Sequence, residues 1–147
     1  MSGRMSKKEQ YEKLIANMRR WQGVENAAVA QTAKIMAATE NPLIRLMMEI
    51  IQRDSNMHHR VQQLIIDGLG QSAMVMSVDE LSAVWDDIEH HIEIEKKTIE
   101  LANESLAMVD HPREGIYKYL LNYLLEDEKK HDKLLDDLKL IRKGLNP

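Results

Sequence analysis

Residues 124–135, Leu124-Leu125-Glu126-Asp127-Glu128-Lys129-Lys130-His131-Asp132-Lys133-Leu134-Leu135, set acid and imidazole into what is otherwise an apolar helix face. At about 100° per residue, Leu120, Leu124, His131, Leu135 and Leu138 fall in one narrow stripe, flanked by Asp127 and Glu128. A carboxylate or imidazole buried without a partner is strongly destabilising, so such a stripe needs hydrogen bonds, ion pairs or a metal ion. Glu128 and His131 stand at i and i+3, which brings their tips onto one face within reach of a single ion. The meaning of the stretch then depends on what the rest of the chain places opposite it.

The composition suits long amphipathic helices: 30% charged and 44% apolar residues, with only three prolines and six glycines in 147 residues. Ten Met and no Phe make an aliphatic, adaptable core. The length predicts a single domain over 1–147. Net charge is −4 with Lys and Arg scattered among acids, which argues against a nucleic-acid partner. Neither a leader nor a membrane-spanning run is evident, so a cytoplasmic protein away from the membrane is expected. The absence of Cys removes disulfides, thiolate zinc sites and iron–sulfur clusters, leaving carboxylate and imidazole as the available metal ligands.

Helical spacing of apolar positions predicts four helices. The first runs from about Lys7 to Thr39, with Glu25 in the middle of its stripe and Trp21 packed in the core nearby. The second runs from about Pro42 to Asp67, with Met47, Ile51, Ile65 and Leu69 on the face that centres on His58. Ser77-Val78-Asp79-Glu80 reads as a capping box that opens a third helix, in which Glu95 fills a gap in the apolar stripe and His91 lies one turn earlier. Pro112 separates this helix from a fourth that ends near Gly144. Four such helices make an all-α four-helix bundle.

The chain also repeats itself. At an offset of 70, Glu25 aligns with Glu95, Met18 with Ile88 and Val29 with Ile99; at an offset of 73, Asp54-Ser55-Asn56-Met57-His58 aligns with Asp127-Glu128-Lys129-Lys130-His131. Glu25 and His58 stand 17 and 16 residues either side of Pro42, and Glu95 and Glu128 stand 17 and 16 either side of Pro112. The polar core residues therefore meet at one level within each of two related helical hairpins.

One Glu from each of two helices, with Glu-x-x-His from each of the other two, is the ligand pattern of carboxylate-bridged di-iron bundles. On these residues the chain resembles the ferritin-like superfamily, rubrerythrin-type in particular, over nearly its whole length. The resemblance implies Glu25, His58, Glu95, Glu128 and His131 as metal ligands, with Asp54 and Asp127 holding the ligand histidines through their second ring nitrogens. The levels of the polar residues also predict two hairpins joined by a lengthwise crossover, or exchanged between the chains of a homodimer. The pattern departs at Ser55, which stands where the family has its helix-2 glutamate, and His91 is the candidate substitute.

The activity expected from this resemblance is that of a non-haem iron carboxylate protein, di-iron or reduced to one iron. It would react with dioxygen or peroxide, or bind and oxidise Fe(II), in the manner of a ferroxidase or peroxidase. Manganese or zinc would suit the same ligands. Catalytic turnover would need an external electron donor. The alternatives are a non-catalytic metal-binding bundle and a purely structural interaction module.

Overall fold

The computed structural model describes residues 3–71 and 74–144. All regular elements among them are helical: α1 (Lys7–Ala37), α2 (Pro42–Gly70), α3 (Val78–Ala83), α4 (Trp85–Ala107), a 3₁₀ turn (Pro112–Glu114) and α5 (Gly115–Arg142). They gather into two compact units that divide between Met74 and Val75. In the first unit α1 packs on α2, and in the second α4 packs on α5. None of the helices is long and apolar enough to cross a membrane.

The helix ends follow local chemistry. The Ser6 hydroxyl accepts from the Glu9 N–H while the Glu9 carboxylate accepts from the Ser6 N–H, closing a capping box at the start of α1. Asn41 Oδ1 accepts from the N–H groups of Leu43 and Ile44 at 3.0 and 3.1 Å, and Pro42 occupies the first turn where its missing N–H is harmless. The predicted box of Ser77 and Glu80 forms, with Glu80 held below the ordinary carboxylate range by the Ser77 backbone and then by its hydroxyl. His111 caps the 3₁₀ turn by accepting from the Arg113 N–H. Gly144, at φ +75°, supplies the left-handed residue that ends α5.

Three boundaries differ from the expectation. Helix α1 stops at Ala37 instead of Thr39, and α2 runs past Asp67 through Gly68 to Gly70. The third helix is interrupted at Val84 (φ −116°, ψ 8°) between α3 and α4. Leu81 before the break and Trp85 after it are both buried, and α3 packs against α4 and α5. The Arg142 guanidinium lies 4.5 Å from the centre of the Trp85 ring, a cation–π contact across that end of the hairpin.

Three core assignments are also corrected, the first on α5, where Leu124 of the expected stripe is exposed and Leu125 is the buried residue. Trp21 is exposed, and so are Tyr11 and Leu14 of its stripe. On α2 the buried residues are Ser55, Gln62 and Ile66, whereas Ile51 and His58 are exposed. The direction in which α2 faces α1 is turned by roughly 60° from the centre of its apolar stripe. The hairpin partner covers one edge of each stripe and leaves the remainder uncovered.

The core of the first hairpin is largely polar and is built from Gln22, Glu25, Thr32, Ser55 and Gln62 beside Met18 and Ile66. Gln22 Nε2 donates to the His59 carbonyl oxygen at 3.2 Å and to Gln63 Oε1 at 3.0 Å, and Gln52 Nε2 donates to the Val29 carbonyl oxygen at 3.2 Å. These bonds cross from one helix to the other.

Candidate metal centre

In the second hairpin, α4 aims Glu95 inward and α5 aims Glu128 and His131 at it. Glu95 is 6% exposed, as its place in the apolar stripe predicts. His131 Nδ1 lies 3.6 Å from Glu95 Oε1 and 3.5 Å from Glu128 Oε2. One ligand atom from each of Glu95, Glu128 and His131 lies within 4.8 Å of the other two, a spacing one ion could bridge. The i, i+3 relation of Glu128 and His131 therefore does what the sequence implied.

Around these three stand their supports. Asp127 Oδ2 is 3.5 Å from His131 Nε2, on the ring nitrogen opposite the one that faces the glutamates, and its other oxygen pairs with Lys130 at 2.9 Å. His91 Nε2 is 2.9 Å from Glu95 Oε1, so it touches the cluster from its rim and is not one of the three convergent ligand atoms. Thr98 joins the cluster without a signal of its own in the apolar spacing. Its hydroxyl is 2.7 Å from the Glu95 carbonyl oxygen and 3.1 Å from Glu128 Oε2. With one proton, it donates to only one of them at a time. The available signal was a hydroxyl three residues after Glu95, on the flank of the same face.

Electrostatically the two glutamates are shifted in opposite directions. Hydrogen bonding with Glu128 holds Glu95 below the ordinary carboxylate range; burial opposes this, and His91 and His131 reinforce it. The same bond pushes Glu128 up, with burial adding to it and Thr98 opposing. Glu95 Oε2 is buried with no hydrogen-bond partner. So is Asp132 Oδ1, on the next residue after His131. Buried carboxylate oxygens without a donor are costly, and a cation satisfies them as well as a proton does.

The first hairpin reproduces only part of this. Glu25 is 7% exposed, and its Oε1 lies 3.3 Å from His58 Nδ1, the counterpart of the Glu95–His131 approach. Ser55, at the position of Glu128, is 5% exposed and brings no carboxylate. Asp54 is exposed and makes no bond to His58, unlike Asp127 with His131. Among the described residues, Glu95, Glu128 and His131 form the one group of metal-ligand type.

The chain was compared with protein-family models, curated proteins and solved structures, and no match was found.

Proposed function

We propose that the chain is a carboxylate and imidazole metal-binding protein of ferritin-like design that uses iron. The observation that carries this reading is the convergence of Glu95, Glu128 and His131 within 4.8 Å, together with the burial of Glu95 Oε2 without a hydrogen-bond partner. Two ionised glutamates neutralise a divalent ion, and a neutral imidazole adds the nitrogen that Fe(II), Mn(II) or Zn(II) accepts. Bound iron would supply redox chemistry toward dioxygen or peroxide, or would itself arrive as Fe(II) substrate. The residues' own part is to hold the ion, with Asp127 fixing the tautomer of His131 through its second nitrogen. An external donor would supply electrons for repeated turnover.

The internal repeat and the uncovered apolar stripes support a further element of this reading. The two hairpins close into a four-helix bundle, within one chain or by exchange between two copies. Sedimentation of the purified protein distinguishes these.

Metal analysis with anomalous scattering at the iron, manganese and zinc edges tests the centre. The expected result is stoichiometric iron in the natural protein and none after Glu128→Ala with His131→Ala. Unchanged metal in the double variant would place the site elsewhere. Consumption of peroxide or Fe(II) by the loaded protein separates a catalyst from a binder. The binder is favoured by Ser55, since a lost carboxylate removes the bridge that couples two ions in di-iron proteins.

A further inference from the structure

The repeat allows each ligand of the second hairpin to be compared with its counterpart in the first. Glu95 and Glu25 are equally buried, at 6% and 7% exposure. Each glutamate approaches a histidine on its partner helix, His131 Nδ1 at 3.6 Å and His58 Nδ1 at 3.3 Å. At the third position the copies diverge, Glu128 in one and buried Ser55 in the other. We infer that the protein holds one metal ion per chain, on α4 and α5 alone, and that Ser55 is the residue that denies α1 and α2 a second.

Three observations converge on this, and the inference rests on the metal reading above. First, charge: Glu95 and Glu128 together balance a divalent cation, whereas Glu25 alone leaves one positive charge uncompensated inside a hairpin. Second, reach: a serine hydroxyl is neutral and two bonds shorter than a glutamate carboxylate, so it cannot close the ring of ligands. Third, demand: Glu95 Oε2 is buried without a partner, while the polar core of the first hairpin is largely satisfied by its own amide and hydroxyl bonds. Its one buried side-chain atom without a partner, among the described residues, is the amide oxygen of Gln62, and it bears no net charge.

The experiment is Mn(II) titration of the full chain, read as ions bound per chain and by electron paramagnetic resonance, which separates an isolated ion from a coupled pair. The natural protein is expected to bind one isolated Mn(II). Glu25→Gln and His58→Ala should leave that count unchanged, and Glu128→Ser, which gives the second hairpin the residues of the first, should abolish it. Ser55→Glu should raise the count to two, and adding Glu25→Gln to it should return the count to one.

Two ions in the natural protein would overturn the inference. So would one ion that Glu25→Gln or His58→Ala releases, because the ion would then be held by both hairpins; the metal reading would survive either result. No ion at all in the natural protein would instead sink the metal reading, and this inference with it. A helical Ser55→Glu protein that still binds one ion would also overturn it. Should Ser55→Glu not fold, the counts for Glu25→Gln, His58→Ala and Glu128→Ser decide the matter.

Discussion

At the scale of single residues, the shifts of Glu128 and Glu95 set how the stability of the second hairpin depends on pH. The Glu128 carboxyl is pushed above the ordinary value of 4.5 by Glu95 and burial, so the stability it contributes is present in acid and is lost as pH rises through its folded pKa. Glu95 is shifted the other way, so its contribution is present above 4.5 and is lost as pH falls through its depressed pKa. The pair therefore favours folding most strongly between those two values. Glu128→Gln keeps a donor toward Glu95 at every pH. In chelator at pH 7 it should stabilise the protein by about 1 kcal/mol, the scale of one hydrogen bond, or about 3 °C in melting temperature. On the proposed reading the same variant should lose metal, and a lower melting temperature would show that repulsion between the two carboxylates is not what strains the pair. Thr98→Val removes the hydroxyl that touches both glutamates, and metal affinity should fall about tenfold, as for other groups that orient ligands; titration with Mn(II) reads this directly.

At the scale of elements, the helix starts are where sequence and structure agree most closely, because a cap is a local event between residues three apart. Asn41→Ala should cost about 1 kcal/mol, measured by urea unfolding, since Asn41 Oδ1 serves two N–H groups of α2. Trp85→Ala should cost about 3–5 kcal/mol, because it empties the buried place where α3, α4 and Arg142 meet. The break at Val84 was not legible, since the apolar spacing runs through it and Leu81 and Trp85, four residues apart, would share one face of an unbroken helix as well. The facing of α2 was not legible either. A stripe of apolar residues marks every direction that avoids water, and one neighbour covers only part of it. His58 stands at the middle of the stripe and Ser55 at its side, yet Ser55 is the one that faces α1.

At the scale of the whole molecule, the all-helical fold, the hairpin pairing and the inward aim of Glu25, Glu95, Glu128 and His131 could all be read from periodicity and the internal repeat. What periodicity could not show was which polar residues touch. His91 sits on Glu95 at one turn's spacing, Asp54 fails to copy Asp127, and Trp21 lies in the open; each depends on a few ångströms of helix rotation. If the ion belongs to α4 and α5, its stabilisation is local as well. With free metal at about 100 times its dissociation constant, the gain is about 2.7 kcal/mol. Hydrogen exchange should then slow at amides of α4 and α5 and stay unchanged in α1 and α2. Equal slowing in all four helices would contradict a site confined to one hairpin.

Aliphatic contacts are nearly interchangeable, so two long helices held by leucines alone can slip past each other by a turn, about 5.4 Å, at little cost. In the first hairpin Gln22 admits no such freedom, because its amide finds the His59 carbonyl and Gln63 Oε1 at one setting only. The polar core thus works as an alignment peg. It keeps Glu25 opposite His58, and so sets the level at which a carboxylate introduced at position 55 would arrive.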